Sequence, residues 1–204
     1  AIAEYMAKFG FGSLTGVDLG GERTGVLPSR EWKARVFKRS EAKRWYSGET
    51  ISVAIGQGYN SYTPLQLAHA TGVLVTGGVK AKPRMVRAFQ NPVSGEITDR
   101  KIDYSEPVPL KQEYVDFVKR AMQGVALQGT ATRVFMGAKY TVGGKTGTAQ
   151  VFSLKKGEVY RGKELAERFR DHSWFIAFSP VDKPRIALAA IVENGGFGAQ
   201  AAAP

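Results

Sequence analysis

Apolar residues recur along this chain in two distinct rhythms, one helical and one extended. Ile2, Tyr5, Met6 and Phe9 return at helical spacing, and Gly10 and Gly12 stop that run. Gly16 to Glu49 is turn-rich and basic, and Pro28-Ser29-Arg30-Glu31-Trp32 can start a short helix within it. Ile51–Ile55 is a short apolar run closed by Gly56-Gln57-Gly58. The next helix is well marked: Thr63 caps it, Pro64 suits its first position, and Gln66 completes a capping box. Its predicted buried stripe is Leu67, Ala70, Thr71, Leu74 and Val75, and Gly77-Gly78 ends it. Val79–Ile102 reads as irregular strands with turns at Asn91-Pro92 and Ser94-Gly95. A second long helix is expected from Gln112 to Leu127, with Tyr114, Val118, Ala121, Met122 and Val125 on its apolar face. A short helical turn carrying Val134 and Phe135 follows Gly129-Thr130-Ala131.

The rhythm then turns extended. Strands are expected at Thr141–Phe152, at Ser173–Ser179 and at Arg185–Glu193. The last is almost wholly apolar and so is expected to be a central strand covered on both faces. Val181-Asp182-Lys183-Pro184 makes the hairpin turn before it, and Asn194-Gly195-Gly196 ends the sheet. Ala199–Pro204 reads as the first turn of a helix. Helices packed beside an antiparallel sheet give an α+β class.

Composition adds limits. The 204 residues carry 29 Lys and Arg against 18 Asp and Glu, a net charge of +11. The charge is concentrated in Arg30–Arg44 and Lys155–Arg170, which read as solvated loops without the aromatic interleaving of a base-stacking surface. No nucleic-acid motif is present, so no nucleic-acid partner is expected. Without cysteine there is no disulfide, thiolate site or cysteine nucleophile. His69 and His172 lie too far apart to form a metal-ligand pair by spacing, and no metal site is expected. No apolar run approaches the roughly 20 residues that span a bilayer. An anchor or export signal, if the parent protein has one, is expected upstream.

The chemically informative segment is Gly143-Gly144-Lys145-Thr146-Gly147-Thr148-Ala149-Gln150. A Lys-Thr-Gly strand is one signature of penicillin-binding proteins and serine β-lactamases. On the tripeptide alone, an edge strand whose lysine blocks aggregation is the stronger reading. The catalytic reading has a definite chemistry. Lys145 supplies a cation for the terminal carboxylate of a peptide, and Thr146 a hydroxyl for the same group. Gly147 lets a substrate backbone lie against the strand. Alternation puts Thr146 and Thr148 on one face, and the Thr148 N–H is a candidate oxyanion donor.

Longer stretches carry a resemblance. Ile51-Ser52-Val53-Ala54-Ile55-Gly56-Gln57-Gly58-Tyr59 and Thr63-Pro64-Leu65-Gln66-Leu67-Ala68 resemble the segment before the Lys-Thr-Gly strand in class B penicillin-binding proteins. Gly144-Lys145-Thr146-Gly147-Thr148-Ala149-Gln150-Val151 resembles their third motif. Arg170-Asp171-His172-Ser173-Trp174-Phe175 and Val192-Glu193-Asn194-Gly195-Gly196 resemble the strands after it. Pro28-Ser29-Arg30-Glu31-Trp32-Lys33 and Trp45-Tyr46-Ser47-Gly48-Glu49-Thr50 point to the elongation type, penicillin-binding protein 2. The resemblance covers essentially the whole chain and implies that residues 1–204 are the C-terminal portion of a transpeptidase domain. It implies a serine-type D-Ala-D-Ala transpeptidase that cross-links peptidoglycan stem peptides through an acyl-enzyme and is inhibited by β-lactam antibiotics. It places Lys145, Thr146 and Gly147 among the catalytic residues and Thr148, Ala149 and Gln150 among those that bind substrate. It implies no cofactor. It further implies a RodA-type membrane glycan polymerase and a shape-determining scaffold as partners, at the periplasmic face of a bacterial inner membrane.

The chain departs from that pattern in one respect. The family's Ser-x-x-Lys nucleophile and its Ser-x-Asn or Ser-x-Asp element precede the matched segment. Ser40-Glu41-Ala42-Lys43 and Ser153-Leu154-Lys155-Lys156 fit Ser-x-x-Lys, and neither is accepted. The first lies in a charged run, where a solvated lysine stays protonated and useless as a base. The second follows the Lys-Thr-Gly strand, the wrong order for the family. The serine is therefore expected from an upstream part of the same protein, and this chain alone is expected to be inactive. A non-catalytic sensor or scaffold module is the alternative from another class. A nucleic-acid-binding domain and a β-lactamase are the other readings weighed.

Further residues stay open at this point. His172 is either a general acid or base or, by about three to one, a structural hydrogen-bonding residue. His69 reads as a packed helical residue. Gln57 either bonds the wall of the site or stabilises its own loop. Tyr59, Tyr62 and Trp174 line a groove or fill the core and its rim. Lys155–Arg170 is either a lid over the cleft or simply exposed.

Overall fold

The structure, a computed structural model, describes residues 1–151 and 166–204. Helix α1 (Ile2–Lys8) opens it, followed by α2 (Arg30–Val36), α3 (Ser40–Lys43) and α4 (Ser47–Ala54). The predicted capped helix is α5 (Pro64–Val75), and its capping box forms as expected, with Thr63 and Gln66 exchanging side chain to backbone bonds. Gln66 does more than cap. It is 1% exposed, and its amide donates to the carbonyls of Ser13 and Thr24 at 2.8 Å, tying α5 to the chain before it.

Short antiparallel pairs, β1 (Lys80–Ala81) with β4 (Tyr104–Ser105) and β2 (Ala88–Gln90) with β3 (Ile97–Asp99), make up the irregular middle of the chain. Three long-range contacts of one carboxylate hold them in place. Asp18 accepts from the backbone of Met85 and Val86 and pairs with Arg100. Met85 and Val86 lower the Asp18 pKa against the cost of burial, and Arg100 adds to the lowering.

Helix α6 (Gln112–Leu127) has the predicted bounds, but its buried face differs from the expected one. Val115, Lys119, Met122 and Ala126 are inside, while Tyr114 is 60% exposed and Ala121 is also outside. The stripe is rotated by about one position, with Met122 buried and Val118 and Val125 still packed against the core as expected, and Lys119 lies along it and donates its ammonium to the Asp182 carbonyl at 3.2 Å. A long aliphatic stem counts as apolar surface when its head finds a polar exit.

After α7 (Thr132–Phe135) come β5 (Gly143–Ala149), β6 (His172–Ser179) and β7 (Ile186–Val192), in the spatial order β5-β6-β7 and antiparallel throughout. The central strand is β6, with Ser173, Phe175, Ala177 and Phe178 all buried. This corrects the expectation for the third strand. Among the described residues β7 is an edge, with Ile186, Leu188 and Val192 partly open to solvent. Its other face rests on α5, where Gly72 approaches Ala187. Small residues at Ala187, Ala189 and Ala190 keep the run apolar whichever face is covered, so composition alone could not separate the two cases.

Gly143 and Gly144 set how β5 meets β6. A Cβ on Gly143 would lie 2.4 Å from the Phe178 ring, and one on Gly144 would lie 2.6 Å from the Phe175 ring. The rings fill the space the glycines leave, so these two strands pack closer than side chains would allow. The closing helix α8 (Gly198–Ala201) sits over β5 and β6. The Ser173 hydroxyl, fully buried, accepts from the Ala202 backbone at 3.0 Å and fastens it there.

Charge is also used inside. Lys33, expected in a solvated basic segment, is 3% exposed. It pairs with Glu49, donates to the Arg44 carbonyl at 2.7 Å, and lies 5.2 to 5.7 Å from the ring centres of Phe37, Tyr46 and Tyr59. Loss of water works against its charge, yet Glu49 and Tyr59 outweigh that and hold its pKa above the usual value. Tyr59 thereby belongs to this cluster, and Tyr62 packs on Phe11 at 4.5 Å, so both are half-buried packing residues at the rim of the core. His69 is packed as expected. Its Nε2 lies 3.1 Å from the Ala81 carbonyl, and burial lowers its pKa.

Two consequences can be measured. A Cβ on Gly198 would come within 2.5 Å of both the Gly147 and Trp174 carbonyl oxygens, so Gly198→Ala should cost about 2 kcal/mol in urea unfolding. A cost near zero would mean that α8 is not seated on β5. The second concerns pH. The folded state resists protonating His69, whereas the unfolded chain takes a proton near about pH 6.5. The His69 contribution is therefore complete above that pH and is lost as pH falls below it. His69→Gln should flatten the drop in melting temperature between about pH 7.5 and 5.5, and an unchanged drop would assign it to other groups.

Candidate active-site strand

The residues singled out from the sequence converge on one element. Lys145, Thr146, Gly147, Thr148 and Ala149 all lie on β5, and Gln150 follows it, exposed, just past the strand end. The observed strand is shorter at both ends than the predicted one, whose last residue, Phe152, lies outside the described residues. Register pairs Lys145 with Ile176, Thr146 with Phe175, Gly147 with Trp174, Thr148 with Ser173 and Ala149 with His172. Thr146 and Thr148 thus share one face, as alternation demands, and Lys145, Gly147 and Ala149 share the other.

One edge of β5 is bonded to β6, and the opposite edge has no strand beside it among the described residues. That edge is not covered by packed side chains: Lys145 is exposed and Thr146 to Ala149 are half-buried. Lys145 bends back so that its ammonium donates to the Thr146 carbonyl at 2.7 Å. The Thr146 hydroxyl lies 3.0 Å from the Thr130 hydroxyl, which belongs to the loop between α6 and α7. The Thr148 carbonyl accepts the side-chain amide of Gln57 at 2.9 Å, across 91 residues of sequence. In an antiparallel ladder the N–H and C=O of one residue turn to the same side. A Thr148 carbonyl turned away from β6 therefore puts the Thr148 N–H on the same open edge.

The backbone of Gly147 is closely packed. A Cβ there would sit 3.2 Å from the Trp174 Cβ, and its backbone is the floor against which Gly198 rests. Gly198 and Thr130 are the residues the sequence reading missed. Gly198 gave a signal in the glycine cluster after Asn194, whereas a threonine in a loop gives none.

The remaining candidates separate. His172 Nδ1 accepts the Asn194 backbone N–H at 2.9 Å, and the Asn194 side chain donates to the Arg170 carbonyl. This favours the structural reading of His172 as a brace at the end of the sheet. Trp174 faces β5 as the partner of Gly147. Ser40 and Lys43 are both exposed on the four-residue α3, which agrees with rejecting that pair as a nucleophile and its base. Ser153-Leu154-Lys155-Lys156 and residues 155–165 of the expected lid lie outside the described residues. Among the described residues no three His, Asp or Glu side chains gather to hold a metal. Cavities of about 310 and 420 Å³ open between α6, the approach to β5 and the β6–β7 turn, away from Lys145. They are lined by residues with no role in the chemistry above. The chemically equipped surface is instead the open edge of β5.

Known proteins show the same plan. The model of the penicillin binding protein transpeptidase domain matches residues 1–204. The peptidoglycan D,D-transpeptidase MrdA of Escherichia coli K12 is 42% identical over 200 residues, covering 97% of this chain and 31% of that protein. The crystal structure of Pseudomonas aeruginosa PBP2 superposes with a TM-score of 0.77 at 35% identity, covering all of this chain and 40% of that one. PBP2 from Helicobacter pylori, in its complex with MreC, gives a TM-score of 0.73 at 33% identity over 98% of this chain and 33% of that one. The chain thus spans about a third of the length of the curated relative it matches. With its whole length matched and its Lys-Thr-Gly strand at an open sheet edge, the chain belongs to the penicillin-binding protein transpeptidase domain family.

Proposed function

We propose that residues 1–204 are the C-terminal portion of the transpeptidase domain of a D,D-transpeptidase, and that β5 is its substrate-binding edge. The observation that carries this is the open edge itself, where Lys145, the Thr146 hydroxyl and the Thr148 N–H are presented together. A stem peptide ending in D-Ala-D-Ala lies along that edge as an added strand. Its terminal carboxylate takes the Lys145 ammonium and the Thr146 hydroxyl in place of the internal bonds those groups now make. Gly147 leaves room for its backbone, and Ala149 and Gln150 extend the contact. The scissile carbonyl oxygen, as it gains charge, accepts from the Thr148 N–H.

The attacking serine comes from an upstream part of the parent protein, which supplies the other wall of the cleft. It forms an acyl-enzyme, releases the terminal D-Ala, and passes the acyl group to the amine of a neighbouring stem peptide. β-Lactams present a carboxylate beside a reactive carbonyl and enter by the same contacts. Peptidoglycan synthesis places this chemistry at the periplasmic face of a bacterial inner membrane. A RodA-type glycan polymerase and a shape-determining scaffold are the partners, the latter supported by the relative solved with MreC.

Fluorescent penicillin tests the reading. The parent protein should be acylated and this chain alone should not. Lys145→Ala and Thr146→Val in the parent should each slow acylation by about 10- to 100-fold, the worth of a charge-assisted hydrogen bond. Acylation of both variants at the parental rate would remove β5 from the site, and labelling of Ser40 or Ser153 in the isolated chain would put the nucleophile here.

A further inference from the structure

Gln57 is tied to β5 by a bond that neither its own loop nor its helix requires. It follows α4 between Gly56 and Gly58, both with positive φ (79° and 69°), a backbone other residues rarely adopt. The loop is firmly built. The Gln57 N–H donates to the Ser52 carbonyl at 2.9 Å. The Asn60 amide donates to the carbonyls of Val53 and Gln57 at 3.0 and 2.8 Å. The Tyr62 hydroxyl holds Asn60 in turn at 2.6 Å, with its ring packed on Phe11. A side chain displayed from so braced a loop is aimed, and this one is aimed at the Thr148 carbonyl, 2.9 Å away.

That carbonyl sits where β5 most needs support. Gly147 and Ala149 are held by β6, but Thr148 turns its backbone groups to the open edge, one residue before the strand ends. Without a partner there, the two peptide planes that meet at Thr148 are free to rotate, and the direction of its N–H rotates with them. We propose that Gln57 is a positioning residue, whose side-chain amide pins the Thr148 carbonyl and thereby keeps the Thr148 N–H aimed at the developing oxyanion. The inference rests on the transpeptidase reading above. A neutral donor suits the task, because it bonds the carbonyl without competing for the oxyanion. It also leaves the second lone pair of the carbonyl to a substrate N–H.

The test uses the parent protein and single-turnover acylation by fluorescent penicillin, which separates the ligand dissociation constant from the acylation rate constant. Gln57→Ala should lower the rate constant about tenfold, the scale of a small misplacement at a reacting group, with the dissociation constant nearly unchanged. Gln57→Glu keeps the shape but, when ionised, has no proton to donate, and should be slower still near about pH 8. As pH falls toward about 5 its carboxyl gains a proton and can donate to the Thr148 carbonyl. The ratio of its rate constant to that of Gln57→Ala should then rise, which a merely structural glutamine would not produce. Parental rate constants in both variants, or a ratio that stays flat with pH, overturn the inference and leave the transpeptidase reading standing. Faster acylation by Gln57→Ala also overturns it, since the amide would then be obstructing substrate. A parent protein that penicillin does not acylate overturns both.

Discussion

Two phenylalanine rings occupy the places where Gly143 and Gly144 have no side chains, and the rest of the site follows from that contact. Phe178 and Phe175 belong to the buried central strand, so their positions are set by the core. By filling the glycine positions they lock β5 to β6 in one register. A slip by one residue would turn every side chain of β5 to the opposite face and drive a Cβ into a ring. The register places Lys145, Thr146 and Thr148 two to five residues further along, where the strand leaves the deepest packing and its outer edge has no strand beside it among the described residues.

The outer part of β5 is held differently. Gly198 lies directly on the backbone of Gly147 from one side, and Gln57 reaches the Thr148 carbonyl from the other. Close backbone approach and a single aimed amide do there what interlocking rings do at the start of the strand. The arrangement leaves the edge supported without covering it, as the proposed binding of an extended peptide requires. Thr130 adds a hydroxyl beside that of Thr146, so the groups proposed to bind a carboxylate have partners within the fold.

Much of this was legible locally. The capping box of α5 works within four residues, and Thr63, Pro64 and Gln66 announced it correctly. The bounds of α6 and the strand nature of Gly143–Ala149 were likewise local properties. Gln57 could be suspected from its place between two glycines, but its partner, 91 residues away, could not be named. Lys33 was read as solvated because a lysine in a basic run usually is, and the three rings and the carboxylate that enclose it come together only in the fold. The stripe of α6 was misplaced by one position for the same reason, since Lys119 finds its polar exit on a distant turn.

The amino-acid sequence by itself determined that α5 and α6 are helices and that β5, β6 and β7 are strands, which family the chain resembles, and which residue types stand at the chemical strand. Those depend on dihedral preference, periodicity and capping, all of which act over a few residues. Only the tertiary structure decided that, among the described residues, β6 rather than β7 is the central strand and β5 keeps an edge with no strand beside it, and that Gly198 is glycine because it rests on the backbone of Gly147. Burial and close contact are properties of pairs of segments, and no single stretch of chain carries the information about what it will be packed against.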